Sequence, residues 1–178
     1  MGDDLIGQLL DVAARRLAAY GYLLTGSQGA GEELVQDAIV KVIVRHRRLT
    51  SVPTLEGHVH AAMRTIHLDE ARRQSSWRAA LPRLAQRTSR RQFADEPAEP
   101  GPRDPTGRAM ATLSPMERAA VVLRHVDHLQ IPEMAVAMRV AEAPVETLLS
   151  QARAKLSRVL GDIEPEFDQI LIVDRTRR

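Results

Sequence analysis

The stretch from Gln86 to Gly107, QRTSRRQFADEPAEPGPRDPTG, constrains this chain more than any other feature. It carries four prolines and no apolar periodicity, so it suits neither the interior of a helix nor a central strand. Its first half is basic and its second half acidic and proline-rich. It reads as a flexible linker. The rest of the 178 residues must then bury its apolar faces on either side of it. The expected boundaries are a first domain over 1–85, the linker over 86–107, a second domain over 108–161 and a tail over 162–178. On this reading the two domains move as separate bodies, and a protease cuts first between Gln86 and Gly107.

Aromatic residues make up only 3% of the chain. The core must be built from Leu, Val, Ile, Ala and Met, which suits helix packing better than a sheet. The spacing of Leu5, Leu9, Val12, Ala13, Leu17, Tyr20 and Leu24 predicts a helix over 4–24, ended by Thr25-Gly26-Ser27. Leu34, Val35, Ala38, Ile39 and Val42 predict a second helix over 30–46. A third is expected from Leu55, capped by Thr54, to about Trp77, ending before Pro82. Three more follow the linker. Ser114, Pro115 and Glu117 form a capping-box start for a helix to about His125. Ile131-Pro132 opens the next, to Met138, and Ala143-Pro144 opens the last, to Leu160, stopped by Gly161. A helix, a short turn and a longer helix make a helix-turn-helix outline. The fold class is all-α, two small helical domains. The tail has an apolar stretch at Ile170–Val173.

Other functions find little support. Without cysteine there is no disulfide and no thiolate metal site. The N-terminus lacks a signal-peptide pattern, and no apolar run approaches the ~18 residues of a membrane span, so a cytoplasmic location is expected. His46, His58, His60, His67, His125 and His128 form no ligand pattern, and there is no phosphate-cradling loop or nucleophile elbow. Neither a metal, a cofactor nor an enzymatic activity is expected. The net charge is +2, but from Lys41 to Arg91 there are twelve basic residues against Glu56, Asp69 and Glu70. That bias suits a polyanion, and it also suits a solvated helical surface.

Four segments carry a family resemblance. The first two are Tyr22-Leu23-Leu24-Thr25-Gly26, followed by Gly31-Glu32-Glu33-Leu34-Val35-Gln36-Asp37-Ala38, and Met63-Arg64-Thr65-Ile66-His67-Leu68-Asp69-Glu70-Ala71-Arg72-Arg73. The others are the run from Glu133-Met134-Ala135 through Val145, and the helix after it. Together they resemble the two domains of an extracytoplasmic-function RNA polymerase sigma factor of the sigma-70 type. The resemblance implies a region-two-like helical bundle and a region-four-like helix-turn-helix. It places Glu33, Gln36 and Asp37 on the face that docks on the clamp coiled coil of core RNA polymerase. It assigns Arg64, Thr65, His67, Arg72, Arg73, Trp77 and Arg78 to the minus-ten element of promoter DNA. It assigns Glu146, Thr147, Ser150, Gln151 and Arg153 to the minus-thirty-five element. An anti-sigma factor is a further implied partner.

The chain departs from the family pattern at several positions. Thr65 stands where the family has Asn, and Arg139 replaces the glycine of the helix-turn-helix. Glu146 and Leu148 replace a Lys and an Arg of the reading helix. Two functions therefore stay open: promoter recognition as a dissociable polymerase subunit, or a sigma-like regulatory protein that binds polymerase or an anti-sigma factor without reading promoters.

Overall fold

The computed structural model describes residues 2–46, 51–85 and 105–161, with side chains described from residue 5 and, in the third helix, to Gln74. These residues hold seven helices and no strand. They are α1 (Gly2–Thr25), α2 (Gln28–Arg45), α3 (Val52–Ala85), α4 (Pro105–Ala111), α5 (Pro115–His125), α6 (Ile131–Met138) and α7 (Glu142–Leu160). The all-α class is as the composition implied.

The first three helices pack on one another. Leu9, Ala13, Leu17, Tyr20 and Leu24 of α1 meet Leu34, Ala38 and Val42 of α2 and Leu55, Val59 and Met63 of α3. The turn between α1 and α2 is local chemistry. Gly26 takes φ +78°, and the Ser27 hydroxyl accepts from the Ala30 N–H at 3.3 Å. One turn along each helix, Gly21 and Gly31 let the two backbones touch. A Cβ on Gly21 would lie 2.6 Å from the Gly31 carbonyl oxygen.

The second half is built on α5. Ser114 accepts from the Glu117 N–H at 3.3 Å, and the Glu117 carboxylate accepts from the Ser114 N–H at 2.7 Å, closing the expected capping box. Ala119, Ala120, Val122 and Leu123 are buried against Met110, Met134, Met138, Val145, Ala152 and Leu156. The ends of α6 and α7 lie where Met138 and Gly161 predicted.

Several boundaries differ from the sequence expectation. The third helix starts at Val52, not after Thr54. Pro53 falls in its first turn, where a missing N–H costs nothing, and Ser51 supplies the first carbonyl, accepting from Leu55 at 3.0 Å. It also continues past Pro82 to Ala85. So near the end of a helix, proline forfeits few bonds. A fourth helix, α4, precedes the three expected in the second half and starts inside the stretch read as linker; Gly107 and Ala109 are buried in it. Residues 86–104 and the tail over 162–178 lie outside the described residues.

Among the described residues the two halves are in contact. α5 packs against both α1 and α3, and one continuous core runs from Leu9 to Leu156. The linker composition could not reveal this, because the contact is made by surfaces far from it in sequence.

Candidate polymerase and nucleic-acid interface

Glu33, Gln36 and Asp37 are all exposed on α2. Residues three, four and seven apart share a helix face, so Val40 and Val44 continue their stripe. Those two valines are 60% and 73% exposed. The result is a face with acids at one end and bare aliphatic groups at the other. The sequence reading found the polar part and missed the valines, which spacing from Glu33 would have revealed.

In the second half, α6 and α7 are joined through Arg139, which takes φ 53° in the left-handed region. A β-carbon there is unfavourable by on the order of 1 kcal/mol, as expected where glycine is replaced. On α7, Glu146, Thr147, Ser150, Gln151 and Arg153 are exposed on the face turned away from Val145, Ala152 and Leu156. The Thr147 hydroxyl donates back to the Ala143 carbonyl at 2.9 Å. Leu148 is not on that open face. It is half-buried and lines a groove of about 700 Å³ with Ala71 and Gln74 of α3, Pro115 and Met116 of α5, and Pro144. Its apolar side chain packs against the core and borders a groove that both halves line.

The basic residues of α3 are differently disposed. Arg64 Nη1 lies 3.0 Å from Asp127 Oδ1, in the turn after α5. The other carboxylate oxygen accepts from the Tyr20 hydroxyl at 2.8 Å. Arg72 Nη1 donates to the Met138 carbonyl at the end of α6, 2.9 Å away, filling one of the carbonyls a helix end leaves unpaired. It also pairs with Asp69. His67 Nε2 lies 3.3 Å from the Pro115 carbonyl. The Thr65 hydroxyl bonds the Ala61 carbonyl at 2.8 Å. Arg73 is exposed and pairs with Glu70 at 3.4 Å. Thus Arg64, His67 and Arg72, expected at DNA, face the second half instead in this arrangement. The side chains of Trp77 and Arg78 lie outside the described residues.

Burial sets the electrostatics of this contact. It raises the Tyr20 hydroxyl well above its ordinary pKa, and the adjacent Asp127 carboxylate adds to the effect, so Tyr20 remains a donor. Burial lowers both His67 and His60 below the ordinary histidine value, and the His60 ring lies against Tyr20 with centroids 4.6 Å apart. Burial works to raise Glu117, but Lys155 and Ser114 outweigh it and hold the carboxyl below its ordinary value; Lys155 Nζ is 2.7 Å away. Arg118 is buried and donates to the Leu113 carbonyl at 3.2 Å. Tyr20, Arg118 and Asp127 were missed as contact residues. Tyr20 and Asp127 are 107 positions apart, and no local pattern joins them.

Residues 103–156 match the family described as Sigma-70, region 4. In three dimensions the chain is similar to the sigma factor RpoE from Bartonella quintana, whose structure was solved in complex with the anti-sigma factor NepR. The similarity has a TM-score of 0.55 at 21% identity and covers 89% of this chain and 98% of the other. At that identity the likeness is one of fold. The second half thus matches the sigma-70 region 4 family over residues 103–156, and the two halves together share the fold of a sigma factor.

Proposed function

We propose that this sigma-type chain directs promoter recognition and transcription initiation as a dissociable subunit of RNA polymerase. The observation that carries the proposal is the α2 stripe. Acids and bare valines on one exposed face make a surface suited to a partner with basic and apolar groups. The resemblance gives that role to Glu33, Gln36 and Asp37 at the clamp of core polymerase. On α7, the exposed Thr147, Ser150, Gln151 and Arg153 offer hydrogen bonds to bases and phosphates. Glu146 among them can accept from a cytosine amino group. The test is transcription in vitro, with purified core polymerase and a promoter library. Enrichment of a shared upstream element supports the proposal. No transcription from any member, with intact core binding, contradicts it.

One observation favours the second reading, a sigma-like regulator that binds polymerase or an anti-sigma factor without reading promoters. Arg64, His67 and Arg72 direct their polar atoms toward the second half. The structural neighbour was itself solved with an anti-sigma factor, and a protein of that kind is a proposed partner here. Core polymerase binding without promoter selectivity in any salt condition is the outcome this reading expects.

A further inference from the structure

We infer that Asp127 is an intramolecular stand-in for a DNA phosphate, and that Asp127, Tyr20 and Arg64 form a clasp that hides the DNA-binding side of α3 until the halves part. The inference rests on the sigma reading above for what Arg64 binds once released. Its structural part is independent of that reading.

Both oxygens of the Asp127 carboxylate are taken by the first half. Tyr20 of α1 donates to one at 2.8 Å, and Arg64 of α3 sits 3.0 Å from the other. The Asp127 side chain is only 10% exposed. A carboxylate held by a guanidinium in this way presents to it what a phosphate would present: anionic oxygens at hydrogen-bond distance. One guanidinium cannot serve both in full. Closure and DNA at Arg64 therefore compete, and each weakens the other by the same factor.

The neighbouring contacts act in the same sense. Arg72 is bonded to the Met138 carbonyl of the helix-turn-helix, and His67 faces the Pro115 carbonyl. Asp69, beside them on α3, lies 3.8 Å from Arg139. Each partner belongs to the second half, so one opening motion releases all of them.

The Tyr20 hydroxyl is the informative part of the clasp. Removing it changes no charge at neutral pH, so any gain in DNA affinity cannot come from relieved repulsion. The chain has no cysteine, so fluorophores can be placed uniquely through V12C on α1 and V136C on α6, at residues 61% and 79% exposed. Three variants are compared with the parent: Tyr20→Phe, Asp127→Asn, and Glu142→Gln. Glu142 is an exposed acid of the second half outside the clasp, and its variant measures the effect of one lost negative charge. Energy transfer reports the distance between halves, and fluorescence anisotropy reports binding of a single-stranded oligonucleotide at fixed salt.

Tyr20→Phe is expected to lower energy transfer and to tighten DNA binding about 2- to 10-fold, the size of one lost hydrogen bond. Asp127→Asn should do both more strongly, and Glu142→Gln should leave the distance unchanged. The inference is overturned if Tyr20→Phe and Asp127→Asn leave the distance unchanged. It is equally overturned if they open the halves without tightening DNA binding, or if Asp127→Asn gains no more than Glu142→Gln. Loss of core polymerase binding in the parent would instead count against the sigma function, and the distance measurement would be unaffected by it.

Discussion

At the residue scale, two left-handed positions make opposite demands. Gly26 has φ +78°, and a Cβ there would lie 1.7 Å from Arg118 Nη1. Gly26→Ala should therefore strain the turn by about 1 kcal/mol and also push the buried guanidinium away. A lowered melting temperature, with increased exposure of the α1–α5 contact in hydrogen exchange, is the expected result. Arg139 has φ 53° without being glycine. Its pairing with Asp69 at 3.8 Å is largely exposed and adds little. Arg139→Gly should stabilise the fold by up to about 1 kcal/mol, read by thermal or urea denaturation; a loss of stability would contradict the strain assigned to this turn. Both sites were legible in sequence as turns. The Arg118 side chain over Gly26 was not, because it arrives from the other half.

At the element scale, local chemistry was the most readable. The Ser114–Glu117 capping box formed as its spacing implied, since all its atoms lie within one helical turn. The crossing of α1 and α2 was not readable. Gly31 looked like one more residue of a family motif, yet a Cβ on it would meet the Tyr22 nitrogen at 2.8 Å. That atom is backbone and cannot swing aside. Gly31→Ala is expected to destabilise the chain by about 1–3 kcal/mol through overpacking, despite alanine's better helix propensity. A stabilised Gly31→Ala protein, measured by urea denaturation, would show that the helices separate easily. On α2 the exposed stripe makes a further demand. On the proposed function, Asp37→Lys should weaken core polymerase binding while leaving circular dichroism and the melting temperature unchanged. On α7, Glu146→Lys should raise nonspecific duplex affinity and steepen its dependence on salt by about one phosphate contact. Titration at several salt concentrations reads both.

At the scale of the whole molecule, the contact between halves is expected to respond to pH. His60 and His67 both have folded pKa values below the ordinary histidine range, with burial the largest cause. The folded state therefore prefers them neutral. Their contribution is complete above the unfolded value of about 6.5 and is lost as pH falls below it through the lowered folded values. A falling melting temperature between about pH 7 and pH 5 is expected, with a smaller fall in His67→Gln, whose amide can still donate to the Pro115 carbonyl. An unchanged pH profile in that variant would remove His67 from the account. Glu117 acts in a lower window. Although burial opposes it, Lys155 and Ser114 depress its folded pKa, so its stabilisation holds above the ordinary glutamate value and is lost only in more acidic solution.

The sequence by itself determined six of the seven described helices, α4 being the exception, most of their ends, the all-α class and the exposed candidates on α2 and α7. Each depends on residues a few positions apart, where periodicity and capping act directly. It also carried the sigma-type resemblance, because the motifs that hold it are short and continuous. Only the tertiary structure decided that the halves close on each other, that Leu148 lines a groove shared with α3, and that Arg64, His67 and Arg72 are engaged by the second half. These outcomes depend on surfaces brought together from opposite sides of residues 86–104. The carboxylate of Asp127 has no sequence pattern linking it to Tyr20 and Arg64. Their association follows from the shared burial of α1, α3 and α5, which places one anion within reach of a hydroxyl and a guanidinium.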